Sequence, residues 1–202
     1  MSADGTPFPV EIDVIVEVPA WRKAVRDVEA VCDRAAGATL TAGLPDSALG
    51  GLLAAGQRFE VCVALEDDAS VRALNHGFRN QDKPTNVLAF AALEDENGRV
   101  LVPPADLGED DEDEPTFLGD IVIALETTRD EAARDAKPLA DHLSHLVVHG
   151  VLHLLGHDHQ DEDEAQRMED LETRILAGMG IPDPHAAPPE SGTEDNERTE
   201  PK

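Results

Sequence analysis

Six of the eight histidines in this chain fall between His142 and His159. Three of them, His149, His153 and His159, have the spacing H-x3-H-x5-H. Residues four apart on an α-helix lie one above the other on the same face, so His149 and His153 can aim two imidazoles at a common point. Gly156 lets the chain leave the helix, because glycine tolerates the left-handed conformation that commonly ends one. That turn can bring His159 round as a third ligand. Three neutral imidazoles with an open fourth position describe a catalytic zinc site, one ion per chain. The competing reading of paired helical histidines is solvent exposure or hydrogen bonding in a core. A third histidine beyond a helix-ending glycine argues against it. His142 and His145 extend the same stripe and read as residues behind the ligands or along the cleft.

The spacing also matches the extended zinc-protease pattern H-E-x-x-H-x-x-G-x-x-H at all three histidines and at Gly156. Where a protease carries the Glu that serves as general base, this chain has Gly150. Glycine accepts no proton, so peptide hydrolysis by that route loses its base. Zinc still lowers the pKa of a bound water to about 7. Such a site suits a substrate that brings its own charge, notably a phosphodiester, with a nearby Arg to neutralise charge developing on the phosphoryl group. In RNA the ribose 2′-OH is a further nucleophile or proton donor. Arg79 is the expected catalytic cation, with Lys83 four residues on; an ordinary surface charge is the competing reading of either. Asp158 either orients a ligand or forms the turn.

The elements that must position these residues follow from periodicity. Pro138 suits the first turn of the motif helix, which runs to about Leu155 with Leu143, Leu146, Val147, Val151 and Leu154 facing inward. Alternation predicts strands over Val10–Val18 and Arg58–Leu65, and apolar runs predict strands over Val87–Ala91, bordering a cleft, and Phe117–Leu125. Helices are expected from Pro19 or Ala20 to about Ala36 and from an Asp67 or Asp68 cap through about Phe78. Two more are expected from Thr127 or Thr128 to about Ala136 and over about Glu162–Ala177. The segment around Gly43, Pro45, Gly50 and Gly51 reads as a connection. Strands and helices mix without strict alternation, which predicts an α+β domain: helices packed on one small mixed sheet, with a metal helix like that of the zinc metalloproteases.

The chain has 202 residues, 41% of them hydrophobic, enough for one domain with a real core. Residues 1–8 are expected to be a flexible terminus, 9–181 the domain, and the Pro-rich polar stretch 182–202 a disordered acidic tail. The formal net charge is -27, and residues 94–114 alone hold ten acids and one Arg. Acidic runs of this kind are ordinarily solvated surface or disorder. The balance argues against a general nucleic-acid coat, so a nucleic acid must meet a local cationic or metal-lined patch, with the acidic segments elsewhere. The 94–114 stretch reads as a long loop or hairpin excursion inserted in the domain, with a strand near Arg99–Val102. Cys32 and Cys62 form no C-x-x-C pair, and their apolar flanks predict buried thiols in a reducing cytoplasm. No secretory signal pattern and no run of about 18 apolar residues is present, so a soluble intracellular protein is expected, without a membrane partner.

With these residues in place the chain resembles the YbeY family of bacterial endoribonucleases, the ribosomal RNA maturation factors. Residues His149–His159, H-G-V-L-H-L-L-G-H-D-H, match its signature H-G-x-L-H-L-x-G-[YH]-D-H throughout. Leu74–Phe90, L-N-H-G-F-R-N-Q-D-K-P-T-N-V-L-A-F, is similar to a second segment, and Leu118–Ile121, L-G-D-I, to a third. The resemblance covers roughly residues 10–180. It implies a metal-dependent, single-strand-directed RNA hydrolase acting in maturation of small-subunit ribosomal RNA and in ribosome quality control. It also implies zinc at His149, His153 and His159, an important Arg at Arg79, and the ribosome or its proteins as partners. Ala89 and Ala91 stand where the family often has Ser and Pro. Two other classes remain in view: an adaptor that uses its metal structurally and binds a ribosomal protein through its acidic faces, and, less well supported, a zinc protease.

Overall fold

The computed structural model describes residues 9–95, 99–103, 114–157 and 162–186. The expected flexible terminus 1–8 lies outside them, as do residues 96–98 and 104–113 of the acidic stretch. The described residues form one four-stranded sheet in the order β1-β2-β4-β3. Strands β1 (Val10–Val16), β2 (Phe59–Glu66) and β4 (Thr116–Ala124) run parallel, and β3 (Val87–Ala91) pairs antiparallel with β4 at one edge. Helices cover both faces. This is the mixed α+β architecture that the patterning predicts.

The main core lies between one face of the sheet and helices α2 (Val28–Gly43), α6 (Leu139–Leu154) and α7 (Glu162–Gly178). Phe59, Val61, Val63 and Leu65 of β2 point into it, as period-2 alternation requires. On the other face, Val71 of α4 (Asp68–Arg79) packs with Leu88, Val122 and Ala124. Cys32 is buried, but Cys62 is not: it lies on the other parity of β2, opposite Asp120, and remains partly open. The expectation of two buried thiols holds for Cys32 alone, because an apolar flank in a strand does not reveal which face a residue takes.

Three boundaries differ from the sequence expectation for identifiable reasons. The first helix is broken. A short turn, α1 (Trp21–Ala24), ends at the extended Val25, and α2 starts after Asp27, which sits in the left-handed region at φ 51°. The break lets Trp21, Val25 and Val28 all bury, while the Trp21 indole donates to the Glu66 carbonyl at 2.9 Å. Helix α2 then runs seven residues past Ala36 to Gly43, one 3-10 turn follows at Leu44–Asp46, and α3 (Gly50–Ala54) occupies part of the expected connection. Third, α5 (Leu125–Arg134) begins before Thr127 because its cap is not local: Asp68 accepts from the Thr127 N–H at 3.0 Å, while Glu126 accepts from the Asp68 N–H at 2.9 Å. The two helices cap each other.

The acidic excursion begins as a narrow antiparallel pairing. Glu94 bridges Val100, and Arg99 and Leu93 carbonyls accept from Asp95 and Leu101. The expected strand near Arg99–Val102 is therefore reduced to one bridge. At the other end, residues 182–186, expected to belong to a disordered tail, are held against the domain. Lys137 Nζ donates to the Pro184 carbonyl at 2.7 Å, and Asp183 accepts from Thr173 and from the His185 N–H. Composition marked this stretch as polar and Pro-rich, but two prolines also restrict the chain enough to make a short docked turn inexpensive. Residues 187–202 lie outside the described residues.

Candidate metal centre

Helix α6 is buried on nearly every side, as a helix apolar around most of its circumference must be. It approaches β4 so closely that a Cβ on Gly150 would stand 2.8 Å from Ile121 Cγ2 and 3.1 Å from its Cγ1. A larger side chain there requires Ile121 to shift. The remaining stripe carries His142, His145, His149 and His153, with successive ring centroids 6.1, 6.3 and 4.6 Å apart. The Nε2 atoms of His149 and His153 approach to 3.1 Å. Two imidazoles on one tetrahedral zinc, at bonds of about 2.0–2.1 Å, hold their nitrogens about 3.3 Å apart. The pair therefore fits a shared ion.

The helix ends as its glycine predicts. Gly156 has φ +86°, its N–H donates to the His153 carbonyl at 2.9 Å, and the His157 N–H donates to the Leu152 carbonyl at 3.0 Å. These two bonds form a Schellman motif, which satisfies carbonyls that a helix end leaves free. Val100 packs directly on the glycine, where a Cβ would meet its Cγ2 at 2.4 Å. The turn delivers His157 to the cleft. The expected third ligand, His159, and Asp158 both lie outside the described residues.

Opposite the histidines, Arg79 stands at the last turn of α4, exposed and without an ion pair among the described residues. The polar residues of the Leu74–Phe90 segment hold the loop that follows it. Buried Asn75 donates from Nδ2 to the Lys83 carbonyl at 2.8 Å, and Arg72 pairs with Asp82 through both carboxylate oxygens. Asn80, left-handed at φ 53°, ends the helix. Asn86 accepts from the Val87 N–H at 2.7 Å and donates to Glu131 Oε2 at 2.9 Å. The same oxygen accepts from His142 at 3.0 Å. One carboxylate thus ties the Arg79 loop to the histidine helix.

Arg79, His149 and His153 line one open cleft of about 400 Å³, with Asn86 and Ala89 on its β3 side. Lys83 is exposed beyond that lining. Glu94, the first acid of the excursion, lines the cleft too. The expectation that the acidic segments stay away from the cationic patch is corrected at this residue, because Val100 clamps the excursion onto Gly156 and brings Glu94 with it.

Sequence reasoning did not identify Glu172. It lies on α7 among the buried Met168, Leu171 and Ile175 and is only 1% exposed. Its Oε1 accepts from His149 Nδ1 at 2.7 Å, and its Oε2 accepts from His145 at 3.2 Å and from His185 at 2.8 Å. Burial pushes this carboxyl up, but hydrogen bonds from His145 and His149 outweigh it and hold it well below the usual carboxylate range. Burial also lowers His145, more than Glu172 raises it, which favours the neutral ring. The signal for Glu172 was present in the sequence: an acid on the apolar stripe 168, 171, 172, 175 of an amphipathic helix. One ligand atom each from His145, Glu172 and His185 also falls within 4.8 Å of the others, so a second grouping could hold a metal. His145 and His185 open on a different pocket, of about 570 Å³, which Arg79 does not line.

A family model described as endoribonuclease YbeY matches residues 47–180. Among proteins named Endoribonuclease YbeY, one from Paramagnetospirillum magneticum is 48% identical over 87% of this chain and 96% of its own length. One from Rhodospirillum rubrum is 47% identical over 90% of this chain and 84% of its own, and one from Azorhizobium caulinodans 45% identical over 90% and 99%. A protein from Thermotoga maritima solved in solution aligns over 88% of this chain and all of its own at 18% identity, with a TM-score of 0.45.

Proposed function

The chain belongs to the YbeY family and is an endoribonuclease; from that premise we propose that it cuts single-stranded RNA in maturation of small-subunit ribosomal RNA, using an ion held by His149, His153 and His159. The observation that carries this reading is the shared cleft, lined both by two histidines whose nitrogens lie 3.1 Å apart and by Arg79, which has no ion pair among the described residues. A divalent ion bound there supplies a Lewis acid and a water acidic enough to ionise near neutral pH. Zinc suits a set of neutral imidazoles. Glu172 engages His149 at Nδ1 and so leaves Nε2 as its ligand nitrogen, and the Schellman turn delivers His157 to the same cleft. Arg79 binds the phosphodiester and neutralises the charge that develops on its oxygens.

The protease reading is disfavoured by packing as well as by chemistry. Gly150 lacks a base, and Ile121 leaves no room for one. The adaptor reading has no observation that favours it over cleavage, since a purely structural ion does not need an open cleft lined by an Arg. The site's partner is RNA; contact with the ribosome and a cytoplasmic location are parts of the proposal. No helix among the described residues is long and apolar enough to cross a membrane. Residues 9–181 are proposed as the catalytic domain, extended by the docked turn to Ala186.

The test uses purified protein and labelled single-stranded RNA, with and without zinc, beside Arg79→Ala and His153→Ala. Cleavage should require the metal and fall about a hundredfold or more in Arg79→Ala, the scale of losing one transition-state charge donor. His153→Ala should lose both zinc and activity. Equal cleavage by wild type and both variants would reject the assignment.

A further inference from the structure

Resting on the assignment of His149 and His153 as ligands, we propose that Glu172 is the positioning residue of the metal centre, and that His185 of the C-terminal turn locks it in place. The geometry argues in four steps. A carboxylate is an acceptor only, so the 2.7 Å contact with Oε1 puts a hydrogen on His149 Nδ1. The lone pair of the neutral ring is then on Nε2, the atom that faces His153 at 3.1 Å. The ring is thereby held both in the ligand tautomer and in the ligand orientation.

Second, Glu172 is an acid among apolar neighbours. Glu172 occupies a core position between Leu171 and Ile175, where an apolar side chain would pack at no electrostatic cost. A buried carboxylate is strongly destabilising unless hydrogen bonds satisfy it. Third, those bonds are complete: Oε2 accepts from His145 and His185 while Oε1 is engaged by His149. With both oxygens held, the carboxylate cannot rotate away from the ligand. Fourth, His185 is itself anchored, through Asp183 to Thr173 of α7 and through Pro184 to Lys137 before α6. The turn after Ile181 thus reaches the metal centre through two hydrogen bonds.

Zinc affinity, measured by competition with a chromogenic chelator, tests this in wild type, Glu172→Gln, Glu172→Ala, His185→Ala and His153→Ala. Melting curves of the zinc-free proteins report on folding. Wild type should bind one equivalent, Glu172→Gln should bind about ten- to a hundredfold more weakly, and His185→Ala should show a smaller loss. Nitrogen-15 spectra of the zinc-free protein should show His149 protonated at Nδ1 in wild type and a mixture of tautomers in Glu172→Ala. Unchanged affinity in a folded Glu172→Gln would overturn the proposal. So would two equivalents in wild type falling to one in His185→Ala, which would make His145, Glu172 and His185 ligands of a second ion. Retention of full zinc affinity by His153→Ala would instead overturn the ligand assignment on which the proposal rests.

Discussion

A metal-binding histidine has two ring nitrogens, and sequence spacing speaks for only one of them. The four-residue interval between His149 and His153 predicts that two nitrogens converge, and they do, at 3.1 Å. Nothing within the helix indicates what holds the other nitrogen, because Glu172 is 23 residues away on α7. It was legible only as an acid out of place on an apolar stripe. The same limit applies to Cys62, whose apolar flanks suggest burial while its register places it beside Asp120. Burial, and then the Asp120 carboxylate, push its thiol up to about 11. Both causes disfavour the thiolate, so reactivity must rise with pH well beyond the usual range. At pH 8 about 0.1% of such a thiol is ionised, against about a quarter of a free thiol with pKa ~8.5. Alkylation of Cys62 by iodoacetamide, followed by mass spectrometry, should therefore quicken about tenfold per pH unit between pH 8 and 10. Asp120→Asn should accelerate it at every pH in that range. A rate that levels off below pH 9 would contradict the shift.

Periodicity rendered the elements well where neighbours only had to fill a face, and poorly where they had to supply a cap or a bend. Strand β3 falls where its apolar run puts it, and the inward residues of α6 fall where the helical repeat puts them. The early start of α5 depends on Asp68 of another element, and the break at Asp27 accompanies the burial of Trp21, whose indole donates to Glu66 of β2. Gly150 belongs to the same class. From sequence it is a missing base; in the fold it is the contact that lets α6 lie against β4. Gly150→Ala gains up to about 1 kcal/mol of helix propensity but pushes a Cβ into the β-branched side chain of Ile121. Overpacking costs about 1–3 kcal/mol, so with the full propensity gain the balance should be a net loss of up to about 2 kcal/mol. For a domain of this size that lowers Tm by up to roughly 8 °C. Gly150→Glu, which restores the protease motif on paper, should unfold the domain or lose far more, and should cleave no peptide. A folded Gly150→Glu protein with wild-type Tm would show that the close approach of α6 and β4 is not required.

At the scale of the molecule the question is how a chain of net charge -27 handles a polyanion. The acidic residues do not simply avoid the site, since the excursion that begins at Glu94 is pinned to the end of α6 by Val100. Among the described residues Arg79 is the cation that lines the cleft, and Lys83 is exposed four residues on. Single-stranded RNA binding loses affinity with salt at a slope of about -0.7 per phosphate neutralised, so two contacts predict a slope near -1.4. A nuclease that coats RNA with a broad basic face would show a far steeper dependence. Binding of a fluorescent single-stranded RNA to zinc-loaded His153-intact protein, measured by anisotropy under non-cleaving conditions with a 2′-deoxy substitution in the strand, should give that shallow line. Glu94→Gln removes one repelling charge from the cleft and should tighten binding severalfold at low salt. The gain should shrink as the Debye length falls from about 30 Å at 0.01 M toward about 8 Å at 0.15 M. A slope steeper than about -3.5, equivalent to five or more contacts, would mean that RNA is held by a cationic surface other than this cleft.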